Sequence, residues 1–118
     1  MTPPAPRPDA LLSFRGVIAA ALLYGAVNAG LTLAAGPALA LDDVKLNVLT
    51  QSLQAGYLPD NPPLFEWTLL LVQQALGPAL ASFVVVKTLF LVLTAAFTFL
   101  AAKEAGAEAR TAAVTALA

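Results

Sequence analysis

Residues 17–41, VIAAALLYGAVNAGLTLAAGPALAL, run for twenty-five positions without a charged side chain. Wound as a helix, that stretch would be about 37 Å long at roughly 1.5 Å per residue, more than the roughly 30 Å of hydrocarbon in a bilayer. It reads as a membrane-spanning helix. Its small residues Gly25, Ala26, Ala29 and Gly30 would let another helix come close, although the two glycines stand five apart and miss the GxxxG spacing. A second stretch, residues 80–102, LASFVVVKTLFLVLTAAFTFLAA, covers twenty-three positions, is interrupted only by Lys87 and is closed by Lys103-Glu104. It reads as a second span, with Lys87 able to snorkel if it lies close to the membrane surface.

The competing reading of the first stretch is a cleavable signal peptide, because Arg7 and Arg15 precede it and Ala38-Leu39-Ala40 has a small-x-small pattern. A signal peptide's apolar region is about 7–15 residues long. Here it passes twenty before the cleavage-like site, so a retained span is the better account.

Composition agrees. The 118 residues are 59% hydrophobic and 11% charged, with a mean hydropathy of +0.81, outside the usual range of water-soluble domains. Thirteen charged side chains are too few to cover a soluble core of this size comfortably, whereas a bilayer removes that requirement. The net charge of −1 carries no basic stripe, so a nucleic-acid partner is not supported. With no cysteine and no histidine, disulfides, thiolate catalysis, imidazole bases and Cys/His zinc sites are excluded within these residues. Carboxylates remain as the groups suited to acid or base work.

Between the two spans lies a polar-to-amphipathic insert, residues 42–79, with Asp42, Asp43, Asp60, Glu66 and the single Lys45. In DDVKLNVLTQSLQAG, Leu46, Leu49 and Leu53 recur at helical spacing; an Asp can cap the start and Gly56 can end the helix. A proline-rich turn, YLPDNPPL, follows. Phe65 to Leu76 then resumes as an apolar helix stopped by Gly77-Pro78, too short to span and suited to the membrane surface or to packing against the bundle. Trp67 and Tyr57 fit headgroup-level anchors.

Lysine and arginine number two before the first span, one in the insert and two after the second, which favours both flanks inside. The expected arrangement is a disordered tail (1–13), transmembrane helix 1 (14–41), a first outer loop with two short surface helices (42–79), transmembrane helix 2 (80–102), an inner loop (103–110) and the start of a third transmembrane helix (111–118). The expected location is the inner (plasma) membrane, multi-pass, with a cytoplasmic N-terminus and a periplasmic or extracytoplasmic first loop.

The segment LDDVKLNVLTQSLQAGYLPDNPPLFEW, residues 41–67, resembles the first outer loop of polytopic glycosyltransferases of the GT-C class, family 39, related to the dolichyl-phosphate-mannose protein mannosyltransferases. In that family an acidic pair ends the first span, and a short surface helix, a Gly-Tyr and a Pro-Pro-Leu ahead of a Trp follow. This chain has Asp42-Asp43, Gly56-Tyr57, Pro62-Pro63-Leu64 and Trp67 in that order. It departs from the pattern where many members have Asp-Glu, and where a basic residue or histidine often stands in place of Asn61, implying an altered donor contact there.

The resemblance implies an all-α integral membrane fold, the N-terminal part of a polytopic GT-C helical bundle. It also implies a protein that transfers a sugar from a polyprenyl-phosphate donor to a lipid, glycan or protein acceptor at the outer face of the membrane. These family members run to several hundred residues, so on this reading the 118 residues are expected to be inactive alone. The alternative is a non-enzymatic membrane-bundle subunit or transporter segment with a merely solvated acidic loop.

Transfer needs a base for the acceptor hydroxyl, and a carboxylate can serve. Asp42, where the first span emerges, is the first candidate, and the resemblance implies that its position is the catalytic or metal-adjacent aspartate. The plainer reading is a helix cap for a helix starting at Val44, worth about 1 kcal/mol. Asp43 is its candidate catalytic partner, by support, sugar binding or like-charge proximity. Asp60 and Asn61, in the stiff turn, are candidates for substrate binding, as are Tyr57, Lys45 and Lys87. Lys45 is three residues from Asp42, which fits a local ion pair as well as a phosphate contact. Lys87, a charge within an apolar run, fits pairing with an outer-loop carboxylate or with a donor phosphate. The insert's net charge of −3 suits acceptor activation better than binding an anionic donor, so basic groups elsewhere or a divalent metal cation, with Asp42 and Asp60 as candidate ligands, are expected to complete the site.

Overall fold

The structure is a computed structural model and describes residues 12–36, 38–59 and 62–118. Most of the expected N-terminal tail and the Asp60-Asn61 turn lie outside the described residues. Those described form five helices, α1 (Phe14–Ala34), α2 (Leu41–Leu49), α3 (Leu64–Leu76), α4 (Leu80–Glu104) and α5 (Ala109–Leu117), and no strand.

Helices α1 and α4, of 21 and 25 residues, are long and apolar enough to cross a membrane. Within their apolar windows only 17% and 22% of residues are buried, whereas the core helix of a water-soluble domain is mostly covered by its own chain. Leu23, Tyr24, Leu31 and Phe97 are each more than 60% exposed, so the apolar flanks of both helices are left for other surroundings.

The first helix is shorter than its uncharged stretch. It opens at Ser13, whose Oγ accepts from the Gly16 amide at 3.3 Å, the bond an N-cap serine makes. It closes at Ala34 rather than Leu41. Gly36 sits at φ +126°, a backbone conformation side chains resist, and Pro37, which follows it in sequence, has no amide hydrogen and disfavours a helical residue before it. Twenty-one residues still give about 31 Å of helix at roughly 1.5 Å per residue.

α2 also departs from expectation at both ends. It starts at Leu41 with Ala40 at the cap position and no side-chain cap bond. Asp42 therefore stands inside the first turn, where a carboxylate favours the helix through the dipole, and does not cap a helix at Val44. The helix stops at Leu49, seven residues before Gly56. Tertiary bonds account for the early stop. The Thr50 hydroxyl turns back to the Leu46 carbonyl at 2.8 Å and lies 2.9 Å from Gln73 Oε1. The next residues give their backbone groups to side chains: Tyr57 Oη donates to the Ser52 carbonyl at 2.7 Å and accepts from the Gln54 amide at 3.3 Å, and Trp67 Nε1 donates to the Gln54 carbonyl at 2.8 Å. Groups that would otherwise need helical partners are satisfied this way.

α3 and α4 match their sequence signals closely. Between them, Ser82 Oγ donates to the Gly77 carbonyl at 2.6 Å. α4 ends in a Schellman turn: the Ala107 amide reaches the Ala102 carbonyl at 3.0 Å, the Gly106 amide reaches the Lys103 carbonyl at 2.9 Å, and Gly106 adopts φ +88°.

The chain divides into two compact units. One comprises the residues up to Val27 and those from Leu89 onward. Its core is built of Val17, Ala21, Ala95, Phe99, Ala112 and Ala113, with Phe14 and Phe99 rings 5.6 Å apart at 51°. The alanines let backbones approach, the usual device of packing in lipid. The other unit, Asn28–Thr88, holds α2, α3 and the adjoining ends of α1 and α4. Its fully buried side chains include Leu69, Ser82, Phe83 and Val86.

Candidate functional site

The second unit contains the acidic insert, and its geometry follows from which face each short helix turns inward. On α2, Asp43, Asn47 and Thr50 recur at i, i+4 and i+7, and this polar row is turned inward, with Asp43 and Thr50 buried. On α3 the inward row is Glu66, Leu69 and Gln73, all buried. The rows meet: besides the Thr50 contact, Gln73 Nε2 donates to Asn47 Oδ1 at 2.8 Å. Buried amides and hydroxyls demand such partners, so this network holds α2 against α3. The leucine spacing of Leu46, Leu49 and Leu53 does not reveal this network. The equally periodic Asp43, Asn47 and Thr50 was the signal available.

Asp43 is 8% exposed and both its carboxylate oxygens are bonded by Lys87 Nζ, at 2.7 and 3.0 Å. Of the two fates open to Lys87, pairing with a carboxylate of the insert is the one seen. The ammonium also lies 5.9 Å from the Phe83 ring centre, within reach of a cation–π contact. The Lys87 side chain remains 55% exposed while that of Asp43 is 11% exposed, so the buried partner depends on the pair more than the lysine does. Pair and ring border a cavity of about 260 Å³, also lined by Asn28, Thr32, Val84 and Thr88. Amide and hydroxyl groups from the end of α1 and the start of α4 thus meet one carboxylate and one ammonium.

Asp42, one residue earlier, is exposed. Among the described residues, the only ion pair joins Asp43 and Lys87, so the local Asp42–Lys45 pair does not form and Lys45 is exposed beside it. Adjacent carboxylates therefore occupy opposite environments, one buried and neutralised, one open. Tyr57 is buried, with its hydroxyl occupied by the loop. Trp67 is 39% exposed while its Nε1 is satisfied internally. Glu66 is 2% exposed, and its Oε2 finds no partner among the described residues. Its place in the first turn of α3 sets it against a favourable helix dipole. Asp60 and Asn61, and with Asp60 the suggested metal-ligand pair, lie outside the described residues. No group of three or more carboxylates that could hold a metal occurs among the described residues.

Comparison with protein-family models, curated proteins and solved structures finds no match. The site thus combines an open carboxylate, Asp42, in the first turn of α2 with a neighbouring buried ion pair, Asp43–Lys87, that borders a small cavity of mixed polar and apolar lining.

Proposed function

We propose that residues 28–88 form the acidic part of the active site of a polytopic membrane glycosyltransferase of the GT-C class, using a polyprenyl-phosphate sugar as donor. The observation that carries this reading is the division of labour between the two aspartates. The Lys87 pair fixes the N-terminal turn of α2, and Asp42 on that turn is left exposed, with no ion-pair partner among the described residues. Two carboxylates pushed into different environments are a recurrent basis for assigning acid–base roles.

In this reading Asp42 removes the proton from an acceptor hydroxyl as that oxygen bonds to C1 of the donor sugar. The C1–O bond to phosphate breaks, and the polyprenyl phosphate leaves with the bonding pair. Asp43 is a positioning residue, and Lys87, more than half exposed, keeps its third N–H free to face the departing phosphate. The cavity bordered by Asn28, Thr32 and Thr88 supplies hydroxyl and amide groups suited to a sugar.

A second reading is supported by the same pair. Because Lys87 bonds both oxygens of Asp43, the pair can be a structural clamp in a non-enzymatic bundle subunit or transporter segment. Transfer of radiolabelled sugar from polyprenyl phosphate in membranes separates the two. The enzyme reading expects Asp42→Asn to abolish transfer at unchanged protein level; absence of any transfer dependent on the wild-type protein favours the clamp.

A further inference from the structure

α3 is inside out compared with a helix on the surface of a water-soluble domain. It buries its one charged residue, Glu66, together with Gln73, and exposes Leu64 at 60%, Leu71 at 65% and Leu76 at 51%. A surface helix in water does the reverse. Beside this face lies an open groove of about 670 Å³, lined by Leu53, Ala55, Trp67, Leu70 and Leu71 together with Gln54 and Gln74. None of these residues is charged. Leu53 is 74% exposed, and the Trp67 indole N–H, the polar atom that would resist immersion, is already given to the Gln54 carbonyl. An indole satisfied in this way is suited to an apolar neighbour.

The chain itself says which apolar material is at hand. Only Gly77, Pro78 and Ala79 separate α3 from α4, and α4 is the longer and more apolar of the two helices able to cross a membrane. A span that starts three residues after α3 keeps α3 at the level of the bilayer surface, where amphipathic helices bury their apolar faces at the headgroup–acyl boundary.

We propose that the groove between α3 and residues 53–55 is a lipid-docking surface whose occupant is an acyl chain of a bilayer phospholipid, with α3 lying in the leaflet where α4 begins. The proposal is independent of any sugar-transfer chemistry. Binding would hold the outer insert down on the membrane through α3, leaving the opposite, polar row of that helix to support α2.

Trp67 is the single tryptophan of these 118 residues, and it lines the groove, so it serves as the probe. The protein, with any tryptophan outside these 118 residues replaced by phenylalanine, is reconstituted into nanodiscs of phosphatidylcholine with brominated acyl chains and, in parallel, of the same lipid unbrominated. Seating in the leaflet expects roughly a twofold or greater loss of Trp67 emission with the brominated lipid and little quenching by aqueous acrylamide. Leu71→Asp, which places a charge in the groove, should reverse both effects, and Leu53→Gln should weaken the bromine effect if the first variant is not recovered. Strong acrylamide quenching without bromine quenching would overturn the proposal by showing an aqueous groove. Emission insensitive to both quenchers would overturn it in favour of protein covering the groove, and bromine-independent emission that changes only on adding a polyprenyl phosphate would assign the groove to that lipid instead.

Discussion

Lys87 Nζ lies 2.7 and 3.0 Å from the two carboxylate oxygens of Asp43, tying residues 44 positions apart in the chain. The contact places a charge of the second apolar helix against the first turn of the acidic insert. The placement also explains how a lysine is tolerated in an apolar run: its side chain is still 55% exposed, and a carboxylate meets it where it emerges.

From this relationship follows the separation of Asp42 from Asp43. Asp42→Asn should lower transfer by about 10²–10⁴-fold, the usual contribution of a general base, with insertion and expression near wild type. Asp43→Asn should retain more activity per folded molecule but reduce the folded amount, because Lys87 loses its partner. Initial rates at saturating donor and acceptor, normalised to detergent-extracted monodisperse protein, give both numbers. A wild-type rate for Asp42→Asn would remove it from the chemistry.

Lys87→Met should destabilise the folded protein by about 1–3 kcal/mol, the cost of leaving a buried polar group without its partner, and nearer the lower value because Lys87 is largely exposed. Combining it with Asp43→Asn should cost less than the two single changes added, by about 0.5 kcal/mol or more. Thermal unfolding of the purified variants in detergent measures the coupling; strict additivity would show that the pair contributes no coupling energy.

Gln73→Leu removes the amide that serves Asn47 and Thr50 together. It should destabilise the protein by about 1–3 kcal/mol through unsatisfied buried groups and raise amide hydrogen exchange across α2. Gln74→Leu, on the exposed side of the same helix, is the control and should stay within about 0.5 kcal/mol of wild type. Equal effects from the two would deny the network its role in holding α2.

Topology is accessible because these 118 residues contain no cysteine, and any cysteine outside them can be replaced by serine. Single cysteines at Gln54 and Glu108 should label from opposite sides of the membrane, Gln54 from outside and Glu108 from inside, the orientation that the lysine and arginine distribution favours. The reverse pattern would take the insert away from the outer face.

Sequence alone determined the elements whose causes are local. Two apolar runs long enough for a bilayer, one uncharged and one interrupted only by Lys87, became α1 and α4, Gly77-Pro78 ended α3, and Lys103 to Ala107 ended α4, because helix length, proline's missing donor and glycine's free φ act within a few residues. It also marked the acidic insert and Lys87 as the places where charge interrupts apolar sequence. Tertiary structure decided the rest. α2 stopped at Leu49 although its leucine spacing continued to Leu53, since Gln73, Tyr57 and Trp67 offered its next backbone and hydroxyl groups better partners than another helical turn. Periodicity could not tell which row of α2 faces inward, because leucines and polar residues recur at the same spacing. The choice between Asp42 and Asp43 was likewise invisible in an Asp-Asp pair: neighbouring helical positions point about 100° apart, and only the position of Lys87, set by packing between distant segments, determined which carboxylate was buried and which stayed open.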